Sequence, residues 1–232
     1  MIRGINEQIT ANRRRFLAGI AAFVAFTGLA GAIAGGGTPG ILGGVIVGVV
    51  LATAAYLFSD RIALSAAKAR PADPLEHARL HNIVEGLCVA AGVPKPALYL
   101  VAEPTPNAFA AGRNPAHASL VVTTGLLEAM NRVELEGVVA HELAHIRNHD
   151  TLLTSTAVGL LFLRGFLPPQ RETQADVSGV RITRYPPGLI AALEKMRRRG
   201  VNGQSRSWIT AHLWLDAPHP SLEQRLTELR DL

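Results

Sequence analysis

The 232-residue sequence is poor in cysteine, in charged residues and in aromatic residues. Its single cysteine, Cys88, excludes an intramolecular disulfide framework and a zinc module built from cysteine ligands. Charged residues make up only 18% of the chain and hydrophobic residues 48%, which is the opposite of the balance in disordered proteins. The net charge of +5 comes without a recognition motif and with only 5% aromatic residues, so no nucleic-acid partner is predicted.

Charge is absent from two long apolar stretches near the N-terminus, at residues 16–34 and 41–58. About twenty apolar residues cross a bilayer core as a helix, so both stretches qualify, the second narrowly. Basic residues precede the first stretch and follow the second, and none lies between them, which places both outer flanks in the cytosol. A cleaved signal peptide is the alternative, but the first stretch is long and the second follows at once. The sequence therefore predicts a transmembrane helical hairpin within residues 1–70.

The remaining residues, 71–232, have the mixed composition of a globular domain that can bury its own core. Runs of β-prone residues predict short strands at 97–101, 107–111 and 119–124. Apolar residues at helical spacing predict a helix at 75–91, and again throughout the part that follows the last strand. The predicted fold class is α+β, a mostly helical domain with a small β-sheet, preceded by the membrane hairpin.

The peptide HELAH, from His141 to His145, matches the H-E-x-x-H pattern. Asn131 and Glu134 have the spacing of a capping box, which predicts that a helix begins just before the peptide. On that helix the two histidines are four residues apart, so both imidazoles project from one side and can share a zinc ion. Glu142 lies beside them and is placed to accept a proton from water without binding the metal.

A catalytic zinc site uses three protein ligands, so a third must come from elsewhere in the chain. Thr151 excludes a third histidine ten residues after the first. Glu172 as a ligand, with Asp176 as acceptor for a ligand imidazole one turn later, forms a coherent pair. The alternative is that both acids only favour the start of a helix, and spacing does not decide between the two. His149 lies about 12 Å along the axis from His141, so we expect it to have a role at the helix end.

These motifs resemble the HtpX-type family of membrane-anchored zinc metalloproteases. The resemblance implies a zincin-like fold with one Zn²⁺ per chain, bound by His141, His145 and Glu172, and Glu142 as the catalytic base. It implies polypeptide substrates and the lipid bilayer as partners. Besides the apolar stretches, it rests on PNAFAAG (106–112), Thr124-Gly125, HELAHIRNHD (141–150), Glu172-x-x-x-Asp176, His219-Pro220 and Arg225.

The resemblance also implies a substrate cleft lined by Asn107, Ala108 and Phe109. An edge strand there would pair with an extended peptide. The alternative for Asn107 is a turn residue that follows a proline. His219 would either donate to the oxyanion that forms from the substrate or fix the approach of the chain to its last helix.

The implied function is a zinc endopeptidase in the bacterial cytoplasmic membrane, with its catalytic domain in the cytosol. Misfolded membrane proteins would be its substrates, in quality control during the stress response. A CAAX-prenyl-type endopeptidase is one alternative, although two spans rather than many argue against it. A catalytically silent adaptor of the same fold is another, although the intact Glu142 and Glu172 argue against it.

One feature departs from the family pattern, in which a second hydrophobic hairpin commonly separates HExxH from the ligand glutamate. Here only 26 residues lie between His145 and Glu172. The uncharged run at 151–163 is too short to cross a bilayer as a straight helix. We therefore expect two spans, and a core or interfacial helix that doubles back toward the zinc.

Overall fold

The computed structural model describes residues 4–168, 170–199, 212–215 and 221–232. Most of these residues are helical, and four strands form one sheet. The predicted α+β class is confirmed. The strands are β1 (Arg70–Pro71), β2 (Ala97–Val101), β3 (Ala108–Gly112) and β4 (Ala118–Thr123). The α-helices are α1 (Ile5–Gly35), α2 (Gly37–Leu57), α3 (Ser59–Ala66), α4 (Ala78–Ala91), α5 (Thr124–Ala129), α6 (Arg132–Arg147), α7 (Thr151–Gly159), α8 (Arg171–Thr183), α9 (Pro186–Arg198) and α10 (Leu222–Arg230).

The N-terminal hairpin consists of α1 and α2, which are long and apolar enough to cross a membrane. Gly36 and Gly37 have φ values of 68° and 67°, which glycine adopts without a steric penalty and which let the chain reverse in one step. Small residues bring the helices close together: a Cβ placed on Gly44 would collide with the carbonyl of Thr27. Both helices extend beyond the predicted stretches, and α1 begins eleven positions earlier than residue 16.

The sheet has the strand order β1-β2-β4-β3. Strand β4 pairs in parallel with β2 and antiparallel with β3, so β3 is the last strand on its side. The three predicted strands are confirmed to within one residue. Strand β1, two residues paired antiparallel with β2, lies across the expected boundary between hairpin and catalytic domain. That boundary stays a prediction.

Helix α6 is the central helix of the globular part that follows the hairpin. The predicted capping box is confirmed, because Asn131 Oδ1 accepts from the backbone N–H of Glu134 and the Glu134 carboxylate accepts from the backbone N–H of Asn131. Nearly all of the helix is buried, between β3, α4, α8 and α9. A Cβ on Gly179 of α8 would lie 2.9 Å from the Cα of His141, so a glycine is needed for α8 to approach α6 this closely. The core therefore fixes α8 against the histidine-bearing helix.

The short connection between α6 and α8 folds back on itself. Helix α7 is buried over almost its whole length, and a 3-10 helix, Leu161–Phe166, follows it and packs against α1. The chain then returns to α8. The structure thus contains the expected helix that doubles back, and the chain then leads to Glu172 on α8.

Candidate metal centre and active site

The two histidines of α6 face each other at the centre of the domain. Their Nε2 atoms are 3.1 Å apart. Helix α8 brings Glu172 to the same point, with its Oε2 3.3 Å from Nε2 of His141 and 3.7 Å from Nε2 of His145. All three side chains are buried. The three candidate ligands predicted from the sequence are therefore brought together by the fold.

The opposite ring nitrogens are held by two aspartates. Nδ1 of His141 lies 2.7 Å from Oδ1 of Asp176, and Nδ1 of His145 lies 2.8 Å from Oδ2 of Asp150. Each Nδ1 therefore donates to a carboxylate, which leaves the Nε2 lone pairs directed at the shared point. The predicted position of Asp176 is found in the structure. Asp150 was not predicted, although it stands just beyond the end of α6 and is a short acid five residues after a ligand.

The spacing of these donor atoms fits a small tetrahedral cation. Metal–ligand bonds of about 2.0–2.1 Å at tetrahedral angles place donor atoms about 3.3 Å apart, which is close to the separations found here. Glu142 is fully buried on the same helix, and its Oε2 has no hydrogen-bond partner within the described part of the chain. The residues present thus fit a zinc-like ion with one carboxylate left free beside it.

The two glutamates of the pocket, Glu142 and Glu172, have pKa values shifted in opposite directions. Burial raises the pKa of Glu142 above its ordinary value. Burial acts in the same direction on Glu172, but Arg171 and His145 outweigh it and hold the pKa of that carboxyl well below its ordinary value. Glu172 is therefore an anion suited to bind a cation, whereas Glu142 can carry a proton. Burial lowers the pKa of His145, but Asp150 and Glu172 outweigh it and raise that pKa well above its ordinary value, so the pocket attracts positive charge.

Arg225 of α10 completes the arrangement, in a role that the sequence did not predict. Its side chain is fully buried, with Nε 2.7 Å from Oδ2 of Asp176 and Nη2 2.6 Å from Oδ1. Nη1 donates to the carbonyl of Leu215 at 2.5 Å. Burial raises the pKa of Asp176, but Arg225 outweighs it and lowers that pKa. A chain of contacts thus runs from Arg225 through Asp176 to His141.

The predicted cleft residues lie at the start of β3, one of the two edge strands of the described sheet: Ala108 and Phe109 begin the strand, and Asn107 precedes it. Asn107, Ala108 and Phe109 are buried, and strand β3 packs against α6. Oδ1 of Asn107 accepts from the backbone N–H of Ala108, and the carbonyl of Ala108 accepts from the backbone N–H of Leu215. The ring of Phe109 meets Trp214 edge-on at 4.7 Å. Residues 212–215 thus contact the free edge of β3.

His219, predicted either to donate to the oxyanion or to guide the chain into the last helix, lies outside the described residues. A capping box follows it: Ser221 and Gln224 bond reciprocally at the start of α10. His149 lies just beyond α6, at the helix end as expected, with a left-handed φ of 58°. It is not part of the group of side chains that, among the described residues, could hold a metal ion.

Comparison with known proteins gives a consistent result. Residues 74–168 match the sequence profile of peptidase family M48. A protein named Protease HtpX homolog, from Caldanaerobacter subterraneus subsp. tengcongensis, is 38% identical over 238 aligned positions, covering 77% of this chain and 80% of the relative. Homologues with the same name are 35% identical in Dictyoglomus turgidum, covering 76% of each chain, and 31% identical in Streptococcus gordonii, covering 97% and 99%.

The streptococcal alignment is longer than this chain. It extends over 294 positions, whereas this chain has 232 residues, so the relative carries at least 62 residues that have no counterpart here. The short connection between α6 and α8 is where the sequence departs from the family pattern. It nevertheless leaves His141, His145 and Glu172 in one cluster.

Proposed function

The chain belongs to the HtpX proteases of peptidase family M48, and we propose that it is a zinc-dependent endopeptidase that cleaves misfolded membrane proteins at the cytosolic face of the bacterial cytoplasmic membrane. A membrane metalloprotease is what the family and the two apolar helices establish. One observation carries the proposal of zinc: two Nε2 atoms and a carboxylate oxygen converge, while each Nδ1 is held by an aspartate. Quality control in the stress response is the role that this chemistry would serve.

In the proposed mechanism His141, His145 and Glu172 hold the metal, and Glu142 moves the proton. Zinc supplies a Lewis acid there and brings the pKa of water near to 7. The free Oε2 of Glu142 accepts the proton as water attacks the peptide carbonyl, and the same carboxyl then delivers it to the leaving amine. Burial, which raises the pKa of Glu142, brings its affinity for the proton closer to the one that this exchange requires. Asp176 keeps the imidazole of His141 in its metal-binding tautomer throughout.

The proposed substrate is an unfolded, extended polypeptide that adds to the edge of β3. Pairing with an edge strand uses the backbone of the substrate, so it requires an extended, unfolded peptide and depends little on the peptide's sequence. Asn107, Ala108 and Phe109 are the proposed substrate-binding residues. The contacts of residues 212–215 with Ala108 and Phe109 mean that this segment must move aside before a peptide can pair along the whole strand.

The proposed cytosolic orientation rests on the distribution of basic residues. They flank the outer ends of the hairpin and are absent from the turn between α1 and α2, which is the pattern of a cytoplasmic pair of termini. Labelling with a membrane-impermeant maleimide in spheroplasts would test it, because a cysteine at the hairpin turn should react and one in the catalytic domain should not. The flanking basic residues are Arg3, Arg13, Arg14, Arg15, Arg61, Lys68 and Arg70.

The zinc content and the casein-cleaving activity of the purified protein in mild detergent test the proposal. We expect about one zinc per chain in the wild type and in Glu142→Gln, with cleavage by the wild type alone, since Glu142 moves a proton but does not bind metal. Glu172→Gln should lose both metal and cleavage. Glu136→Gln is the matched control, because Glu136 lies on the same helix and pairs at the surface with Arg132. It should keep both properties.

Other outcomes would contradict specific parts of the proposal. Zinc without cleavage in the wild type would favour the silent adaptor of the same fold. Cleavage by Glu142→Gln at the wild-type rate would remove Glu142 from the mechanism. Absence of metal from the wild type after reconstitution with zinc would overturn the assignment of the three ligands.

A further inference from the structure

Residues 151–168, which we call the inter-ligand segment, run alongside the membrane hairpin. Just before the segment begins, Nδ2 of Asn12 on α1 donates to the carbonyl of Asn148 at 3.1 Å. Leu153 and Ala157 of α7 then form one apolar cluster with Ala52 and Ala55 of α2. Helix α7 therefore packs against the hairpin and not only against the catalytic domain.

The 3-10 helix that follows α7 contacts α1 still further along. Phe162 lies with its ring centroid 6.1 Å from that of Phe23, and it stacks on Phe26 at the same distance. Leu163 packs closely against Gly19 of α1: a Cβ added to Gly19 would lie only 2.7 Å from Cδ2 of Leu163. The segment thus runs parallel to α1, and equal numbers of residues separate the contacts on the two elements. Asn148 is level with Asn12, Phe162 is level with Phe26, and both intervals are fourteen residues long.

These contacts set the depth of Phe162 in the membrane. The apolar part of α1 begins at Phe16, and Phe26 lies ten residues, or about 15 Å, further along the helix axis. The hydrocarbon core of a bilayer is about 30 Å thick. A side chain that stacks on Phe26 therefore lies close to the middle of the bilayer, far below the surface at which the catalytic domain begins.

The composition and bonding of the segment suit that depth. Residues 151–163 carry no charge. Two backbone hydrogen bonds close the turn within itself: Leu163 N–H donates to Leu160 O, and Leu167 N–H donates to Arg164 O. Arg164, the first charged residue after this run, is partly buried, so its side chain is not fully exposed at the surface of the turn. The side chains left exposed at the turn, Leu161 at 38% and Phe162 at 43%, are apolar.

We propose that the inter-ligand segment is a re-entrant membrane element: it enters the bilayer from the side of the catalytic domain, turns near the mid-plane and returns to Glu172. Lipid acyl chains are the partner that covers Leu161 and Phe162. The segment takes the place of a second spanning hairpin with far fewer residues. Because it joins the two helices that carry the metal ligands, it also fixes the metal centre at the membrane surface. This inference goes beyond the hydrolytic function and is independent of it.

Spin labels in proteoliposomes measure the depth directly. In a Cys88→Ala background, nitroxides are attached at Phe162→Cys and, separately, at Leu161→Cys. Collision rates are measured with oxygen, which concentrates in lipid, and with a nickel chelate, which stays in water. Val133→Cys is the matched control in the catalytic domain, since Val133 is 45% exposed. Val47→Cys, at a position 53% exposed in α2, is the control within the membrane hairpin.

We expect the oxygen-to-nickel collision ratio at positions 161 and 162 to match that at position 47 and to exceed the ratio at 133 several-fold. The Leu161 variant removes no contact with Phe23 or Phe26 that the structure records, so it keeps the test valid if Phe162→Cys loosens the turn. Ratios at 161 and 162 equal to that at 133 would overturn the proposal. A water-like ratio at 47 would also overturn it, by removing the hairpin itself from the bilayer.

Discussion

Replacing Arg225 with methionine should destabilise the protein and weaken its metal site together. The guanidinium makes two hydrogen bonds to the Asp176 carboxylate, at 2.6 and 2.7 Å, and neither group reaches solvent. Methionine fills similar space but leaves the carboxylate buried without its cation. Removing one partner of a buried ion pair costs about 3–5 kcal/mol. Because Asp176 orients His141, zinc affinity should also fall, by about 10- to 100-fold.

The assay is urea unfolding in mild detergent, followed by tryptophan fluorescence, with zinc affinity measured separately by competition with a chelator. Arg230→Met is the matched control, because Arg230 lies on the same helix and pairs with Glu194 at the surface. An exposed pair of that kind contributes about 1 kcal/mol or less. Arg225→Lys should fall between the two, since lysine keeps the charge but not the two-bond fork.

A double substitution distinguishes the electrostatic effect of the Arg225–Asp176 pair from the packing effect of the Arg225 side chain. Arg225→Met is expected to lower stability because it leaves the Asp176 carboxylate buried without a cation. Adding Asp176→Asn removes that charge, so it should recover part of the lost unfolding free energy, while zinc affinity stays low. A cycle of the two single variants and the double variant measures that coupling. Equal losses of stability in Arg225→Met and Arg230→Met, together with equal zinc affinity, would show that the buried pair neither stabilises the fold nor supports the metal site.

Four further predictions concern residues outside the metal cluster. Burial lowers the pKa of His212 from its ordinary 6.5 to about 4, so between these pH values the folded protein binds fewer protons than the unfolded chain. The free energy of unfolding should therefore fall by about 3 kcal/mol as the pH falls from 6.5 to 4. His212→Gln should flatten this part of the plot of unfolding free energy against pH. Burial raises the pKa of Cys88 to about 11 from 9.0, so alkylation by iodoacetamide near neutral pH should be about 100-fold slower in the native protein than in urea. Gly179→Ala should cost about 1–3 kcal/mol, because its Cβ would press on the backbone of His141. At the open helical position of Gly86, the same substitution should stabilise by up to about 1 kcal/mol, as thermal melts of the pair would show.

Features with a local cause could be predicted from the sequence. The capping box of Asn131 and Glu134 and the four-residue spacing of His141 and His145 are properties of one helix, and both are found as expected. The position of Glu172 beside the two histidines could not be predicted from a local pattern, because it depends on the register in which α8 packs against α6. Spacing alone left its role open, and the fold brings it to the two histidines.

Contacts between distant parts of the chain could not be predicted in this way. Arg225 follows Asp176 by 49 residues. Its spacing from Leu222 and Leu229 puts it on the apolar face of α10, but nothing in that spacing identifies Asp176 as its partner. Strand β1 has two residues, one of them a proline, and exists only because β2 offers a free edge. The contact of Leu215 with Ala108 likewise depends on tertiary packing, which leaves no local pattern.

The position of Arg225 in the chain has a consequence for the time course of synthesis. His145 is translated 80 residues before Arg225, which at about 5–20 residues per second is a delay of about 4–16 s. During that interval the hairpin can already be inserted, while Asp176 still lacks the cation that holds it against His141. Under the proposed function, in which unfolded chains are the substrates, the protease is thus without a finished catalytic centre for as long as its own domain is an unfolded nascent chain at the membrane.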